Sequence, residues 1–455
     1  MTIGANRVPG ANRVPGANRG LPRELSAALA ALRERPIPGT SKGFGRIAAG
    51  RAGHGVVTSA SLAARRPYLL GPDFTLPILV LREAALGHNI GAMASYCAAA
   101  GVGLAPHGKT TMAPQIIARQ LAAGAWGMTA ATIPQVQVFR AFGVPRILIA
   151  NELADRGGIE WLAAELAADP GFECYAYVDS VQGVMLLDGL LRAAGTTRPL
   201  PVLVELGQPG GRTGCRSTSE ALAVASAASS AGLLRLAGAA GFEGSIGAGS
   251  AEATMAAVEL FCRDLRTLSD QLPADPAGMP HLLSAGGSAF FDIAARELTA
   301  ARPGRARPQV LLRSGAYVTH DHGHYAAVAP GPGRPGRPGP GLVPALELWA
   351  PVLSRPEPGL AVAGAGRRDV AFDLGLPVPL RIRQADGSEA PAGALRVTRL
   401  DDQHAYLSVP PESPLAPGDL LCLGISHPCT TMDKWRVIPV TDEEYRVIDA
   451  VHTFF

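Results

Sequence analysis

PVLVELGQPGGRTG, residues 201–214, sets the pattern that decides the fold. A short apolar run, Pro201–Leu206, breaks into a glycine-rich polar loop, and an Ala-rich stretch that Ser219 could cap follows. Seven other runs behave alike: Val102–Ala105, Trp126–Thr129, Arg146–Ala150, Glu173–Val178, Leu234–Ala239, His281–Ser284 and Gln309–Leu312. Between them lie stretches with apolar residues at helical spacing, such as Ala113–Ala123 and Glu252–Leu272,. Gly124 reads as a helix stop and Ser250 as a second cap,. Eight β-runs alternating with helices are what a closed parallel (β/α)8 barrel requires. An open doubly wound sheet uses the same alternation, and the count of eight favours the barrel.

Outward from this core the texture changes twice. Residues 4–22, GANRVPGANRVPGANRGLP, are a short tandem repeat without hydrophobic period. They predict a disordered tail, drawn here to residue 40. Residues 329–341, APGPGRPGRPGPG, carry Pro or Gly at most positions and read as a flexible loop or linker,. The barrel is therefore expected over 70–328. From residue 342 to 455, short strand-like runs are separated by turn residues, which predicts an all-β domain,. LPILVL at 76–81 is an extra strand before the barrel, assignable to that β-domain.

The bulk numbers agree with such a protein. A chain of 455 residues is long enough for about three domains, or one large and one smaller,. Charged residues make up 17% and the net charge is +3, so neither nucleic acid nor an anionic membrane is expected as a partner,. No uncharged stretch is greasy enough for a membrane span, and MTIGANR lacks the apolar core of a signal peptide,. Six scattered cysteines fit a reducing cytoplasm better than a disulfide framework,.

In a barrel, chemistry sits where strands end. After the first run comes PHGKTT with Lys109. A lysine crowded at a strand end loses hydration, which favours the neutral amine that forms Schiff bases with aldehydes. A solvated surface lysine is the commoner fate of this residue type. After the fifth run, Arg212 sits between glycines and could meet a carboxylate or a cofactor ring,. After the sixth comes Gly241-Phe242-Glu243-Gly244, an aromatic wall beside permissive backbone. After the seventh comes Ser284-Ala285-Gly286-Gly287-Ser288, whose amides could approach a phosphate,. After the eighth comes Arg313-Ser314-Gly315-Ala316-Tyr317, with a phenolic donor, and then a histidine-rich HDHGH at 320–324. In the β-domain, His427-Pro428-Cys429 on an extended segment would point imidazole and thiol to one side, a soft, zinc-favouring pair,. A buried cysteine beside a hydrogen-bonded histidine is the plainer reading of that pair.

Taken in order, PHGKT, RTG at Arg212, GFEG, SAGGS, RSGAY and the late HPC resemble the alanine-racemase-type pyridoxal-phosphate enzymes. Within them they resemble the branch of D-serine dehydratases, D-threonine aldolases and related amino-acid deaminases. The resemblance implies a barrel followed by a β-domain, and Lys109 carrying pyridoxal phosphate as a Schiff base. It implies cofactor contacts from His107, Arg212, Phe242, Gly244, Ser284, Gly286, Gly287, Ser288 and Tyr317, with the 284–288 loop and Tyr317 on the phosphate. It implies Zn2+ held by His427 and Cys429, a homodimer, and a small amino-acid substrate, D-configured and β-hydroxylated. The activity it implies is β-elimination to a 2-oxo acid and ammonia. D-threonine aldol cleavage is the alternative, since a Cys in the metal pair suits the dehydratase and an Asp the aldolase. An amino-acid racemase and a non-catalytic pyridoxal-phosphate carrier are the readings from other classes. Two features depart from the family: the lysine motif ends in Thr110-Thr111 where K-T-H is usual, and the segment before Arg212 is longer and richer in glycine.

Overall fold

The computed structural model describes residues 21–48, 56–247, 249–275, 278–302 and 306–455. Residues 4–20 of the tandem repeat lie outside the described residues. The tail expected to reach residue 40 stops earlier, because Arg23–Arg33 is a helix. Its Leu25 and Leu32, seven residues apart on one face, are buried,. Gly143, at φ +74°, lets the Leu25 backbone come so near that a Cβ there would lie 2.8 Å from the Leu25 amide.

The barrel strands are β2 (Gly103–Leu104), β3 (Met128–Ala130), β4 (Arg146–Glu152), β5 (Glu173–Val178), β6 (Leu200–Leu206), β7 (Leu234–Gly241), β8 (Leu282–Ala285) and β9 (Gln309–Leu312), preceded by β1 (Ile78–Arg82). From β3 to β9 each strand pairs in parallel with the next, and β9 pairs with β2. Hydrogen bonds from Trp126 N to Leu104 O (2.7 Å) and from Thr129 N to Pro106 O (2.8 Å) close the ring between β2 and β3. The helices between strands have clear causes. In Thr218–Ser230, Ala221, Val224, Ala225 and Ala228 face the sheet at i, i+3, i+4, i+7 spacing,. Asp155, Ser180, Ser217 and Ser250 each cap a helix through the side chain, worth about 1 kcal/mol apiece,. Ser250 is the expected cap; in the other helix Ser217, not Ser219, accepts the amide.

Strand alternation sorts the core into two shells. Ile147, Ile149, Val202, Val204, Leu283 and Leu312 pack outward under the helices. Leu148, Tyr177, Leu203, Leu282 and Leu311 form a separate cluster inside the ring. The same inward registers continue to Glu152, Glu205, Ser284 and Arg313 at the C-terminal rim, so the lumen becomes polar where the active site of a barrel lies,.

The second domain is an antiparallel-rich β-structure. β10 (Leu346–Glu357), β12 (Val378–Arg383), β13 (Glu389–Pro391), β16 (Leu420–Gly424), β17 (Val437–Thr441) and β18 (Val447–His452) form its main sheet. β11 (Leu360–Ala363), β14 (Arg396–Leu400) and β15 (Ala405–Ser408) extend it beside β10. Strand β1 joins this sheet, antiparallel to β10 and parallel to β17, so the extra strand at 76–81 belongs to the β-domain. The segment 329–341 has no helix or strand, but it is tied down. Arg337 donates to Asp292 Oδ1 at 2.7 Å, to Val328 O at 2.7 Å and to Ala289 O at 2.6 Å. Among the described residues no helix is long and apolar enough to cross a membrane.

Candidate active site

A cavity of about 120 Å³ opens at the C-terminal rim, lined from both domains. His107, Lys109 and Thr110 come from the loop after β2, and Phe242 and Gly244 from the loop after β7. Gly287, Ser288 and Ala289 follow β8, and Arg313, Gly315 and Ala316 follow β9. His324, Tyr325 and Cys429 complete the wall. A larger hollow of about 610 Å³, lined by Lys42, Arg367, Arg368 and Lys434 among others, is an open surface groove.

Lys109 sits in the tight turn Gly108–Thr110. It is accessible at the cavity, yet protein crowds its ammonium. Burial lowers its pKa; the nearby Cys429 opposes this, and Arg212 and Arg313 add to it,. His107 is pushed well below the usual imidazole range by burial first and then by Lys109, Arg313 and Arg212. Its Nδ1 is buried without a partner among the described residues. A neutral ring with an orphaned nitrogen at the cavity is ready to bond an incoming group.

Arg313 is the residue the sequence reading passed over. It is 5% exposed, and its guanidinium bonds Ser284 Oγ and Gly241 O, both at 2.6 Å. Neither acceptor is charged, so among the described residues a buried cation at the cavity stands without a carboxylate in contact. Burying a charge this way is costly unless something anionic compensates it. The signal was readable: Arg313 is two residues beyond inward-facing Leu311.

The expected phosphate contacts divide. Ser288 lines the cavity. Its N–H and that of Ala289 have no acceptor among the described residues, and the same holds for Gly315 and Ala316. These four amides can hold a dianion. The amides of Gly286 and Gly287 are instead taken by the Glu243 carboxylate, at 3.0 and 2.6 Å. Ser284 is fully buried and holds Arg313 and Leu311 O, away from the cavity. Tyr317 is 1% exposed, and its hydroxyl accepts from Gln120 Nε2 at 3.0 Å. It lines a different cavity, between the helices Glu83–Ala100 and Pro114–Ala122, and is not among the residues lining this one. The short turn after β9 offers the backbone of Gly315 and Ala316 to the site and turns the phenol beneath it.

Arg212 stands at the rim, exposed, with its guanidinium 4.4 Å from the centre of the Phe242 ring,. Its loop is shaped by Arg216, which donates to the carbonyls of Gly211, Arg212, Thr213 and Gly214. His320, His322 and His324 do not form a cluster. His322 lies against Gly424, where a Cβ would meet its ring at 2.5 Å, and only His324 reaches the cavity.

His427 and Cys429 are not on an extended segment. Pro428 is helical (φ −68°, ψ −34°) and Cys429 begins a short helix to Met432. The turn still brings the pair into contact. Burial opposes a charge on His427, but Cys429 and then the Asp373 carboxylate outweigh it and push the pKa up to about 9. Asp373 Oδ2 holds His427 Nδ1 at 2.8 Å, and Thr430 braces Asp373 at 2.9 Å. Cys429 Sγ lies 3.4 Å from Thr110 Oγ1 across the domain seam. A thiol beside an imidazole whose other nitrogen meets a carboxylate is a donor set that fits zinc, with open positions left for small ligands. No group of three or more His, Cys, Asp or Glu able to hold a metal occurs among the described residues.

The chain resembles known proteins in sequence and in fold. Residues 345–441 match the family model described as "Putative serine dehydratase domain". D-threonine aldolase of Arthrobacter sp is 27% identical over 336 residues, 74% of this chain and 80% of that protein. The crystal structure of D-threonine aldolase from Filomicrobium marinum superposes with a TM-score of 0.68 at 25% identity, covering 84% of this chain and 95% of that one. D-threo-3-hydroxyaspartate dehydratase from Delftia sp. HT23 shares the fold, with a TM-score of 0.63 at 22% identity over 84% of this chain and 97% of that one. In sequence and in fold, the chain is similar to the D-serine dehydratase and D-threonine aldolase branch of the alanine-racemase-type pyridoxal-phosphate enzymes.

Proposed function

We propose that the protein is a pyridoxal-phosphate-dependent lyase that eliminates water from a β-hydroxy D-amino acid, giving a 2-oxo acid and ammonia. One observation carries this reading. A lysine with depressed pKa, four backbone amides without an acceptor among the described residues and the Cys429 thiol converge on one cavity. The residues fit the cofactor: Lys109 to bond its aldehyde, His107 and Arg313 beside its ring, and the amides of Ser288, Ala289, Gly315 and Ala316 for its phosphate,. Pyridoxal phosphate, when bound, supplies the electron sink for negative charge at Cα.

The chain's own groups do the rest. Lys109 Nζ, its pKa lowered by burial, accepts the proton from Cα,. Arg212, exposed at the rim, offers a guanidinium to the substrate carboxylate,. The electrons of the Cα–H bond form Cα=Cβ as the Cβ–O bond breaks. The departing hydroxyl must take up a proton to leave as water. Tyr325 lines the same cavity, and burial, followed by the nearby Cys429, Asp321 and Asp373, keeps its phenol protonated, so it acts as donor. His427 and Cys429 would hold zinc beside that hydroxyl, where a Lewis acid polarises it. The enamine then hydrolyses to the 2-oxo acid and ammonia.

Aldol cleavage is the second reading, favoured by the 27% identity to D-threonine aldolase across most of the chain. Incubating the pure protein with D-serine, D-threonine and their L-isomers separates the two. Elimination gives a 2-oxo acid and ammonia. Glycine from D-threonine, with no 2-oxo acid from any substrate, overturns the elimination reading.

A further inference from the structure

We infer that Glu243 is the positioning residue of the phosphate cradle, acting on loop 286–289 from behind. Glu243 begins the turn after β7 and is fully buried. A buried carboxylate needs strong partners. Its only side-chain hydrogen-bond partners among the described residues are the successive amides of Gly286 (3.0 Å, to Oε2) and Gly287 (2.6 Å, to Oε1). Among the described residues no cation reaches it within ion-pair distance. Glu243 does not line the cavity, whereas Gly287, Ser288 and Ala289 do. The carboxylate therefore lies on the far side of the loop from the cavity.

The consequence is a division of labour within one loop. Two charge-assisted bonds fix the glycine amides away from the cavity. Gly286, at φ +92°, adopts the left-handed turn that this orientation requires,. The next two amides, of Ser288 and Ala289, have no acceptor among the described residues, like those of Gly315 and Ala316. Ala289 is also held through its carbonyl by Arg337. Without Glu243, the glycine amides would be free to turn towards the cavity, and the cradle would lose its fixed set of donors. Glu243 thus sets which donors meet a phosphate while never touching it.

The inference rests on the cofactor reading above, and its test separates the two. The full chain, freed of cofactor, is titrated with pyridoxal 5′-phosphate and, separately, with pyridoxal, which lacks the phosphate. Binding is followed by absorbance of the lysine adduct. In Glu243→Ala the dissociation constant for pyridoxal phosphate should rise by about 10- to 100-fold, the loss of one or two charge-assisted bonds. That for pyridoxal should change less than about threefold, because its ring contacts are untouched. Glu243→Gln, which keeps one acceptor oxygen, should fall between, and it carries the test if the alanine variant does not fold. Equal weakening of both aldehydes, or tighter binding of pyridoxal phosphate by Glu243→Gln, overturns the inference. Wild-type protein that binds neither aldehyde overturns the cofactor reading itself.

Discussion

Replacing Arg337 with alanine tests whether the Pro/Gly-rich segment is anchored to the barrel. Arg337 is 11% and Asp292 7% exposed, and two of the arginine nitrogens meet both carboxylate oxygens, at 3.0 and 2.7 Å. Truncation leaves the Asp292 carboxylate buried without a cation, together with the carbonyls of Val328 and Ala289. Removing one partner of a buried pair costs about 3–5 kcal/mol. Loss of the guanidinium above the Phe290 ring, 5.2 Å away, adds about 0.5–1 kcal/mol,. Residual hydration of Arg337 favours the lower end, so about 3 kcal/mol is expected. Urea unfolding followed by circular dichroism reads this as a lower midpoint at unchanged slope. The double variant Arg337→Ala, Asp292→Ala removes the stranded charge and should recover about 1–3 kcal/mol of the loss. A loss below about 1 kcal/mol in Arg337→Ala, or no recovery in the double variant, would refute the argument that this pair anchors the loop.

Lys109→Ala should abolish the visible absorbance of bound pyridoxal phosphate while leaving the melting temperature of the cofactor-free protein unchanged; absorbance that persists in the variant removes Lys109 from its role. Cys429→Ala should lose zinc, measured by metal analysis after dialysis, and keep the cofactor spectrum. Tyr325→Phe should lower kcat on D-serine by about 10²-fold, typical of a missing proton donor, with cofactor affinity unchanged; a wild-type kcat excludes the phenol. Glu152 gives a pH signature: burial, then Glu205 and Asp179, raises its pKa to about 8. A raised carboxyl stabilises the fold fully below its unfolded value near 4.5 and loses that contribution as pH rises through 8. Glu152→Gln should therefore unfold at higher urea than wild type at pH 8.5, by about 1 kcal/mol or more, and match it near pH 4.5.

The barrel was legible because its strands are short apolar runs with β-branched residues and its helices carry a clean apolar face. The runs Glu173–Val178 and Gln309–Leu312 match their strands to the residue. The helix at Arg23–Arg33 was lost beside the repeat, although Leu25, Leu32 and the alanines between them carry its period. Strands β13 and β18 carry weak sequence signals: Glu389–Pro391 is a three-residue edge and Val447–His452 mixes Asp449 into its run. At the site, Lys109, His107, Phe242, Ser288 and Cys429, each of which follows a strand or stands in a motif, all line the one cavity. Tyr317 lines another cavity because the direction of a side chain after a turn depends on the turn, here one that buries the phenol on Gln120. The glycines at strand ends were read as room for a cofactor. At Gly207 and Gly214 that room is filled by protein instead: a Cβ would meet Thr213 O at 2.3 Å and Gly207 N at 2.4 Å. Glu243 had no sequence signal, because its partners are backbone amides more than forty residues away.

The contact between Thr110 and Cys429 joins a barrel loop to the β-domain at the very wall of the cavity. A molecule bound there touches both domains at once and neither fully when they part. Its binding energy is then conferred only on the docked arrangement, about 2.7 kcal/mol at a hundredfold excess over Kd. Heating the empty protein can release the domains in separate steps; with the cavity filled, they are fastened, and melting becomes a single cooperative event whose temperature climbs with ligand concentration.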